Sequence, residues 1–411
     1  MGWQLPAYLA VSHAFPLAAP FVLRRRLARG KEDPARYTEK LGHPSATRPP
    51  GRLVWLHAVG LGEVLSLRGL IAALAARDGA LSFLVTSGTR ASAQVLAANL
   101  PPRTTHQFLP LDAPRYLARF LAHWRPDLSV WAEQELWPGA VAAAHRAGIP
   151  LALVNARMNE AAFARRARAR GLFADLLPRF ALVAAQDDTT ARHLAALGAR
   201  TPRVTGALKA AAPPLAADPA DLQALQTALH GRHPWLLASS HAQDEGPALA
   251  ARHTQGPQAL LVIVPRDPSR APAISAATSD LGLAVSRKSL SPQPDPGAQV
   301  HIVDAFGDLG LWYRLCPVAL IGGSFGPTEG HNPWEAAALG AAILHGPRTA
   351  NFAADYARLD RAGAALALSP DALPQALAQD HAAMAACARA LSEAARDSLA
   401  PLAADLLDLM R

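Results

Sequence analysis

The most informative segment of the sequence is Gly322-Gly323-Ser324-Phe325-Gly326-Pro327-Thr328-Glu329-Gly330-His331-Asn332-Pro333-Trp334-Glu335. It follows an apolar run at 317–321 and leads into helix-forming residues, so the pattern predicts a strand, a glycine-rich turn and a helix. Such a turn lets backbone N–H groups approach a ligand, and a helix N-terminus favours a phosphate or carboxylate. Asn332 fits the N-cap, Pro333 the first helical position and Glu335 the first turn. The spacing matches neither the dinucleotide fingerprint nor the P-loop, and a plain connection is the alternative.

Short apolar strands alternate with helical segments along most of the chain, which is typical of parallel βαβ units. Residues 63–76, for example, carry an apolar face at helical spacing directly after a strand. The proline- and alanine-rich residues 210–220 interrupt this alternation and predict a linker. Strands are expected at 52–57, 81–86, 127–132, 150–154 and 181–185 before the linker, and at 234–239, 259–265, 299–304, 317–321 and 341–345 after it. The fold class is therefore α/β, with two Rossmann-like doubly wound domains and a ligand cleft between them.

The composition suits a globular protein with anionic partners. A chain of 411 residues with 51% hydrophobic content can build two cores. The net charge of +8 comes almost wholly from arginine and is compatible with nucleic acid, phospholipid headgroups or phosphorylated ligands. Nucleic acid is disfavoured because the arginines are scattered and no RNP-like aromatic strand or zinc-finger spacing occurs. Cys316 and Cys387 have no metal-ligand spacing, so they are expected to be buried thiols of a reducing compartment.

The N-terminus predicts contact with a membrane. Residues 3–23 hold no charged residue and precede Arg24, Arg25, Arg26, Arg29 and Lys31. The length is close to the roughly 20 residues of a membrane helix, although three prolines weaken the pattern. Because the basic cluster follows the apolar run, a cleaved signal peptide is disfavoured and the rest of the chain is expected in the cytoplasm. Residues 1–30 are thus expected to anchor the protein by spanning the bilayer or lying in its interface; a buried helix of the first domain is the alternative.

Two segments place carboxylates at the ends of strands. Residues 57–63, HAVGLGE, pass two glycines and reach Glu63 in the first turn of a helix, where an acidic residue is also favoured structurally. Residues 131–139, WAEQELWPG, carry Glu133 and Glu135, of which only one is expected on the ligand side. A catalytic base fits this edge of the sheet. Capped strand ends with tryptophans in the core are the alternative.

Nine motifs in sequence order resemble those of the Kdo (3-deoxy-D-manno-octulosonic acid) transferases of lipopolysaccharide synthesis, inverting glycosyltransferases of GT-B fold. They are HAVGLGE at 57–63, TSGT at 86–89, LPLDAP at 109–114, EQELWP at 133–138, VNAR at 154–157, GALK at 206–209, SSHAQDE at 239–245, VPRDPSR at 264–270 and the glycine-rich stretch at 322–335. The resemblance covers nearly the whole chain. It implies an anchor at 1–30, an acceptor-binding domain at 31–209, a linker at 210–220 and a CMP-sugar-binding domain at 221–411.

The resemblance also implies roles for individual residues. Glu63 matches the general base that deprotonates the acceptor sugar, and Glu133 matches the carboxylate that supports it. Arg266 is expected to reach the phosphate or the Kdo carboxylate. The expected donor-binding residues are Ser239, Ser240, His241, Arg266, Gly323, Ser324, Asn332 and Glu335. Arg157, Lys209, Arg24, Arg25 and Arg26 are possible contacts to anions or to the acceptor. No metal or other cofactor is expected.

The function implied by the resemblance is transfer of Kdo from CMP-Kdo to a lipid A precursor, with inversion, at the cytoplasmic face of the inner membrane. Gly60 stands where the family usually has a hydroxyl residue, and Ala207 lies in a segment that otherwise reads GNLK. Two further departures introduce carboxylates: Asp267 stands where the family has a histidine, and Glu329 lies in a segment that otherwise reads GGHN. Both add negative charge near the expected anion site. They leave open a GT-B paralogue with another nucleotide sugar or acceptor, and a non-catalytic, membrane-associated binding protein.

Overall fold

The computed structural model describes residues 2–98, 100–133 and 135–411. The chain divides into two compact units. The first domain comprises residues 1–212 and 395–411, and the second domain comprises residues 213–394. Each has its own parallel sheet and its own hydrophobic core.

The first domain contains seven parallel strands in the order β3-β2-β1-β4-β5-β6-β7. The strands are β1 Leu53–His57, β2 Ser82–Ser87, β3 Thr104–Phe108, β4 Leu128–Ala132, β5 Leu151–Ala156, β6 Leu182–Ala185 and β7 Arg203–Val204. The helices are α1 Gln4–Ser12, α2 Phe15–Ala28, α3 Leu61–Arg77, α4 Arg90–Ala98, α5 Pro114–Trp124, α6 Pro138–Arg146, α7 Glu160–Ala167, α8 Arg170–Leu176 and α9 Asp188–Ala196. Every residue of β1, β2, β4, β5 and β6 is buried, because helices cover both faces of such a sheet.

The second domain also contains seven parallel strands, in the order β10-β11-β9-β8-β12-β13-β14. The strands are β8 His233–Ser240, β9 Ala259–Pro265, β10 Val285–Arg287, β11 Val300–Ile302, β12 Val318–Ile321, β13 Ala342–His345 and β14 Ala365–Ala367. The helices of this domain are α10 Pro219–Ala228, α11 Ala242–His253, α12 Ala271–Asp280, α13 Leu309–Leu315, α14 Trp334–Leu339, α15 Ala353–Arg361, α16 Leu373–Leu377 and most of α17 Ala382–Asp397. The last helix, α18 Leu399–Asp408, belongs to the first domain.

The strand order reverses once in each sheet. In the first domain β1 pairs with both β2 and β4, and in the second domain β8 pairs with both β9 and β12. Ligands of open α/β sheets bind outside the carboxyl ends of the strands at such a reversal. Binding or catalytic residues are therefore expected in the segments after β1 and β4 and in those after β8 and β12.

The N-terminal segment that was expected to form one anchoring helix forms two helices. Residues 4–28 form two helices, α1 and α2, that are bent by 62°, and among the described residues no single helix is long and apolar enough to cross a membrane. Leu5 and Leu23 are buried, whereas Leu17 and Phe21 are 86% and 70% exposed. The pair thus packs on the first domain with one face and leaves apolar side chains in solvent on the other.

Two boundaries also differ from the sequence expectation. Residues 395–411 belong to the first domain and not to the second, because α18 packs on α3 and buries Leu399, Leu402 and Leu406. The helix after the glycine-rich turn begins at Trp334, with Pro333 at the N-cap, so Asn332 stands one position further out. Asn332 Oδ1 nevertheless accepts the backbone N–H of Trp334 at 3.2 Å, which preserves the capping contact.

Candidate active site

Glu63 and Glu133 come together at the strand-order reversal of the first domain. Glu63 lies in the first turn of α3, after β1, and Glu133 directly follows β4. Since β1 and β4 are neighbours, with His57 opposite Trp131, the two carboxyl groups come close enough to interact. Glu135, two residues further on, is exposed. Of these two glutamates, the structure brings Glu133 to Glu63.

Backbone N–H groups fix the Glu63 carboxylate. Its Oε2 accepts from Val59 N at 3.1 Å and from Gly60 N at 3.0 Å. An acidic side chain that reaches back in this way also caps the helix and interacts favourably with its dipole. Both hydrogen bonds end on one oxygen, which leaves Oε1 for other partners.

The surroundings of Glu133 favour its protonated form. Burial is the largest cause, and together with the neighbouring Glu63 carboxylate it raises the pKa of Glu133 to about 7, against the opposing effect of Lys209 and Arg157. The Lys209 ammonium lies 3.8 Å from Glu133 Oε1. Glu133 can therefore hold or release a proton near neutral pH.

Asn155 connects these groups, and sequence reasoning missed it. It is fully buried at the end of β5, and its Nδ2 donates to Glu133 Oε1 at 3.2 Å. Its Oδ1 accepts from Leu208 N at 3.0 Å and from Gln186 Nε2 at 2.9 Å. Asn155 therefore ties Glu133 to the segment that carries Lys209. Its motif, VNAR, was recognised, but no sequence pattern indicates a left-handed backbone with φ of 53°.

A glycine lets this segment approach α3. A Cβ atom at Gly69 would lie 2.6 Å from the backbone oxygen of Ala211, closer than a side chain permits. The short turn 208–211 can therefore lie directly on α3, and Lys209 is brought to the carboxylates. Four of the residues expected from sequence, Glu63, Glu133, Arg157 and Lys209, thus surround one point of the first domain.

In the second domain the buried carboxylate of Asp244 organises the glycine-rich turn. Asp244 lies in the first turn of α11 and is fully buried. Its Oδ2 accepts from His241 N at 2.9 Å and from Gly323 N at 2.7 Å, and its Oδ1 accepts from Phe325 N at 3.2 Å. One side chain thereby holds the segment after β8 against the segment after β12. Asp244 lies in the motif SSHAQDE, but no sequence pattern indicates its role in holding the turn.

The turn after β12 also needs glycine at two positions. A Cβ at Gly322 would lie 2.4 Å from the oxygen of Ser239, and Gly323 has φ of 72°, a conformation that side chains disfavour. Ser239 itself has φ of 56°, at a bulge between β8 and β9. These constraints explain why the two strand ends approach so closely.

Two of the expected donor-binding serines form hydrogen bonds within the protein through their hydroxyl groups. Ser240 and Ser324 are fully buried. Ser240 Oγ donates to Glu245 Oε1 at 3.2 Å, while Ser324 Oγ donates to Ile321 O at 2.6 Å and accepts from Gly346 N at 2.8 Å. Their hydroxyl groups position the turn, so a ligand there would meet backbone groups.

His241, His331 and Arg266 form a group of polar side chains at this turn. The two histidines stack with an interplanar angle of 12°, and their Nε2 atoms lie 2.8 Å apart. Burial, His241 and Arg266 lower the pKa of His331 to about 4, so that its imidazole is neutral at physiological pH. Arg266 is exposed and makes no ion pair with a described carboxylate. An exposed guanidinium beside backbone N–H groups can bind a phosphate or carboxylate.

Asn332 and Glu335 adjoin the same turn. Asn332 Nδ2 lies 3.4 Å from Glu335 Oε1, in the first turn of α14. The segments after β8, β9 and β12 thus contribute all the expected donor-binding residues to one edge of the second sheet. Among the described residues no group of three or more histidine, cysteine or acidic side chains could hold a metal ion.

Comparison with known proteins identifies the family. The sequence model of the family described as 3-deoxy-D-manno-octulosonic-acid transferase (kdotransferase) matches residues 35–212. A probable mitochondrial 3-deoxy-D-manno-octulosonic acid transferase of Arabidopsis thaliana is 33% identical over 358 residues, which cover 84% of this chain and 80% of that protein. The chain belongs to the 3-deoxy-D-manno-octulosonic acid transferases.

Further comparisons agree with this assignment. The Kdo transferase of Rickettsia bellii is 32% identical over 325 residues, or 78% of this chain and 77% of that protein. The crystal structure of the UDP-GlcNAc 2-epimerase from Neisseria meningitidis matches with a TM-score of 0.55 at 13% identity, over 87% of this chain and 99% of that chain. The structural likeness shows the fold alone, that of the GT-B proteins. As a member of this family, the chain is a glycosyltransferase.

The two unusual acidic residues of this Kdo transferase have local partners. The Glu329 carboxylate pairs with Arg348 and accepts from Ala350 N at 3.3 Å. Asp267 is exposed and accepts from Ser269 N at 3.0 Å, in a turn that also holds Arg270. Hydrogen bonds to Ser269 lower the pKa of Asp267. The charge of Glu329 is thus offset within its own loop.

Proposed function

We propose that this Kdo transferase moves Kdo from CMP-Kdo to a lipid A precursor with inversion at the anomeric carbon. The observation that supports this most is the pairing of Glu63 with Glu133 at the strand-order reversal. A carboxylate beside a second carboxyl group whose pKa is raised to about 7 suits the removal of a proton from a sugar hydroxyl near neutral pH.

Glu63 acts as the general base. Its carboxylate takes the proton of the acceptor hydroxyl while that oxygen bonds to the anomeric carbon, on the face opposite the nucleotide. The bond between this carbon and the phosphate oxygen breaks, and its electron pair leaves with CMP. Glu133 strengthens the base when it is ionised, because a second negative charge disfavours the ionised form of the pair.

The second domain binds the donor. Arg266 supplies a cation for the phosphate or for the carboxylate of the sugar, and the backbone around Gly323 approaches the nucleotide. Arg266 has no competing carboxylate partner among the described residues, which supports this role. With cationic and backbone groups in place, the leaving nucleotide is stabilised without a metal ion.

A panel of donors tests the proposal. The purified protein is incubated with a tetraacylated lipid A precursor and either CMP-Kdo or other nucleotide sugars, and the products are analysed by mass spectrometry and NMR. We expect transfer from CMP-Kdo alone, with inverted configuration. A preference for another nucleotide sugar would favour the paralogue hypothesis, and retained configuration would contradict the mechanism. Binding of CMP-Kdo without transfer to any acceptor would favour a non-catalytic protein.

The N-terminal helices place the enzyme on the cytoplasmic face of the inner membrane, in our proposal, by lying in the interface. Trp3, Val11, Leu17 and Phe21 are exposed on α1 and α2. Arg24 and Arg25 follow them and are also exposed. Apolar side chains beside arginines suit an anionic lipid surface, where each basic residue contributes about 1 kcal/mol.

Replacing Leu17 and Phe21 together with glutamate is expected to reduce binding to anionic vesicles by at least about tenfold, because each apolar side chain contributes about 1.5–3 kcal/mol when buried. Flotation of the protein with vesicles measures this. The matched control replaces Leu290 and Phe306, which are 81% and 78% exposed in the second domain, with glutamate. Equal losses in both double variants would contradict a specific role for the N-terminal helices.

A further inference from the structure

A cavity of about 310 Å³ lies beside the catalytic carboxylates of the first domain. It is formed by α2 and by the segments that follow β1, β2 and β3, and its apolar wall includes Leu23, Val59, Leu109 and Leu111. Val59 belongs both to this wall and to the Glu63 site, since its backbone N–H donates to the Glu63 carboxylate. A molecule in the cavity is therefore next to the proposed base.

The cavity is large enough for a hydrocarbon segment. An apolar cavity of about 150 Å³ already binds one benzene molecule, and this one has twice that volume. Its α2 wall also contributes Val22, which is 48% exposed and follows directly after the exposed Phe21. The apolar outer surface of α2 is thus continuous with the cavity wall, and a chain can pass from a lipid layer into the cavity along α2.

A buried ion network fixes this wall and gives the cavity a polar side. Glu32 is 1% exposed and pairs with Arg26, from α2, and with Lys40. Lys40 Nζ also donates to the oxygen of Gly88 at 3.0 Å. All four residues line the cavity, and two cations against one carboxylate leave a net positive charge that favours an anionic group.

Two further side chains of the lining carry unpartnered nitrogen atoms. His57 Nε2 and Trp137 Nε1 are buried without a hydrogen-bond partner among the described residues. His57 Nδ1 lies 2.9 Å from Thr86 Oγ1, which also accepts from Trp55 Nε1 and lies 3.4 Å from the oxygen of Leu56. A buried donor without a partner is destabilising, and a ligand oxygen would satisfy the Trp137 indole N–H.

We propose that this cavity binds one hydrocarbon chain of an anionic amphiphilic acceptor and so aligns the acceptor with Glu63. The inference rests on the proposed function for the identity of the acceptor. The apolar wall holds the chain, Arg26 and Lys40 hold the anionic side, and the indole N–H of Trp137 meets an oxygen near the start of the chain.

A binding measurement tests the cavity without depending on sugar transfer. The full chain is irradiated with a long-chain fatty acid that carries a diazirine on its chain, and the labelled peptides are identified by mass spectrometry. We expect labelling around Leu109–Leu111 and Val22, reduced about tenfold or more when Leu109→Trp or the less buried Leu111→Trp fills the cavity. Thermal unfolding shows whether each variant is folded.

The chain offers a matched control. A second cavity of about 300 Å³ lies in the same domain between α5 and α6, lined in part by Leu121 and Ala143. Ala143→Trp fills that cavity and is expected to leave the labelling unchanged. Labelling spread evenly over the apolar surface, or reduced equally by Leu111→Trp and Ala143→Trp, would overturn the proposal.

Steady-state kinetics distinguish the acceptor from other membrane lipids. In Leu111→Trp we expect a higher KM for the acylated acceptor with little change in kcat. Specific labelling together with an unchanged KM would show that a bulk lipid occupies the cavity, and would overturn the assignment to the acceptor. Specific labelling in a protein that transfers no Kdo would leave the cavity site standing and contradict the proposed function alone.

Discussion

Replacing Glu63 with glutamine is expected to slow Kdo transfer by about 10³-fold, within the 10²–10⁴ that a positioned general base contributes. Glutamine has the same shape as glutamate but cannot take a proton from the acceptor. Both backbone hydrogen bonds, from Val59 and Gly60, end on a single oxygen of Glu63, and an amide oxygen can accept both. The variant should therefore fold normally, and kcat should fall far more than acceptor affinity.

The matched control for this variant is Glu135→Gln. Glu135 lies in the same motif as Glu133 but is exposed, so its replacement should leave the rate nearly unchanged. Initial rates at saturating CMP-Kdo, with thermal unfolding as a check on folding, measure both variants. A rate of Glu63→Gln close to that of the native enzyme would remove Glu63 from the chemistry.

Replacing Asp244 with alanine is expected to lower the free energy of unfolding by about 3 kcal/mol or more and to weaken CMP binding at least about tenfold. The variant leaves three backbone N–H groups, those of His241, Gly323 and Phe325, without their acceptor. These groups hold the turn at the proposed donor site. Denaturant unfolding and calorimetry with CMP measure the two effects.

Asp267→Ala is the control for Asp244→Ala. Asp267 is exposed, and its carboxylate accepts a hydrogen bond from the backbone N–H of Ser269. We expect a loss of less than about 1 kcal/mol, typical of a surface position. If Asp244→Ala bound CMP as tightly as the native protein, the turn around Gly323 would not be part of the donor site.

The central strands of both sheets were predictable from the sequence, whereas their edges were not. The predicted runs at 52–57, 127–132 and 259–265 agree with β1, β4 and β9 to within a residue at each end. Parallel strands buried on both faces must be continuously apolar, so their sequences identify them. All four strands that the sequence did not predict, β3, β7, β10 and β14, are edge strands. They are short or partly polar because they are less buried.

The residues of the candidate site were likewise predictable only in part from the sequence. The sequence placed Glu63 and Glu133 at the ends of strands, and their proximity followed once β1 and β4 were neighbours. The contributions of Asn155 and Asp244 could not be predicted from the sequence. They depend on a left-handed backbone and on contacts between segments far apart in the chain, which leave no local pattern.

The most direct test of the paired carboxylates is the pH dependence of kcat/KM for Kdo transfer by the native enzyme and by Glu133→Gln. In the native enzyme we expect kcat/KM to rise through about pH 7, where Glu133 ionises and no longer donates a hydrogen bond to the base. The Glu133→Gln enzyme should be slower and should lack this rise. A rise in kcat/KM with the same midpoint pH in both enzymes would contradict the account. So would the absence of Kdo transfer by the native protein.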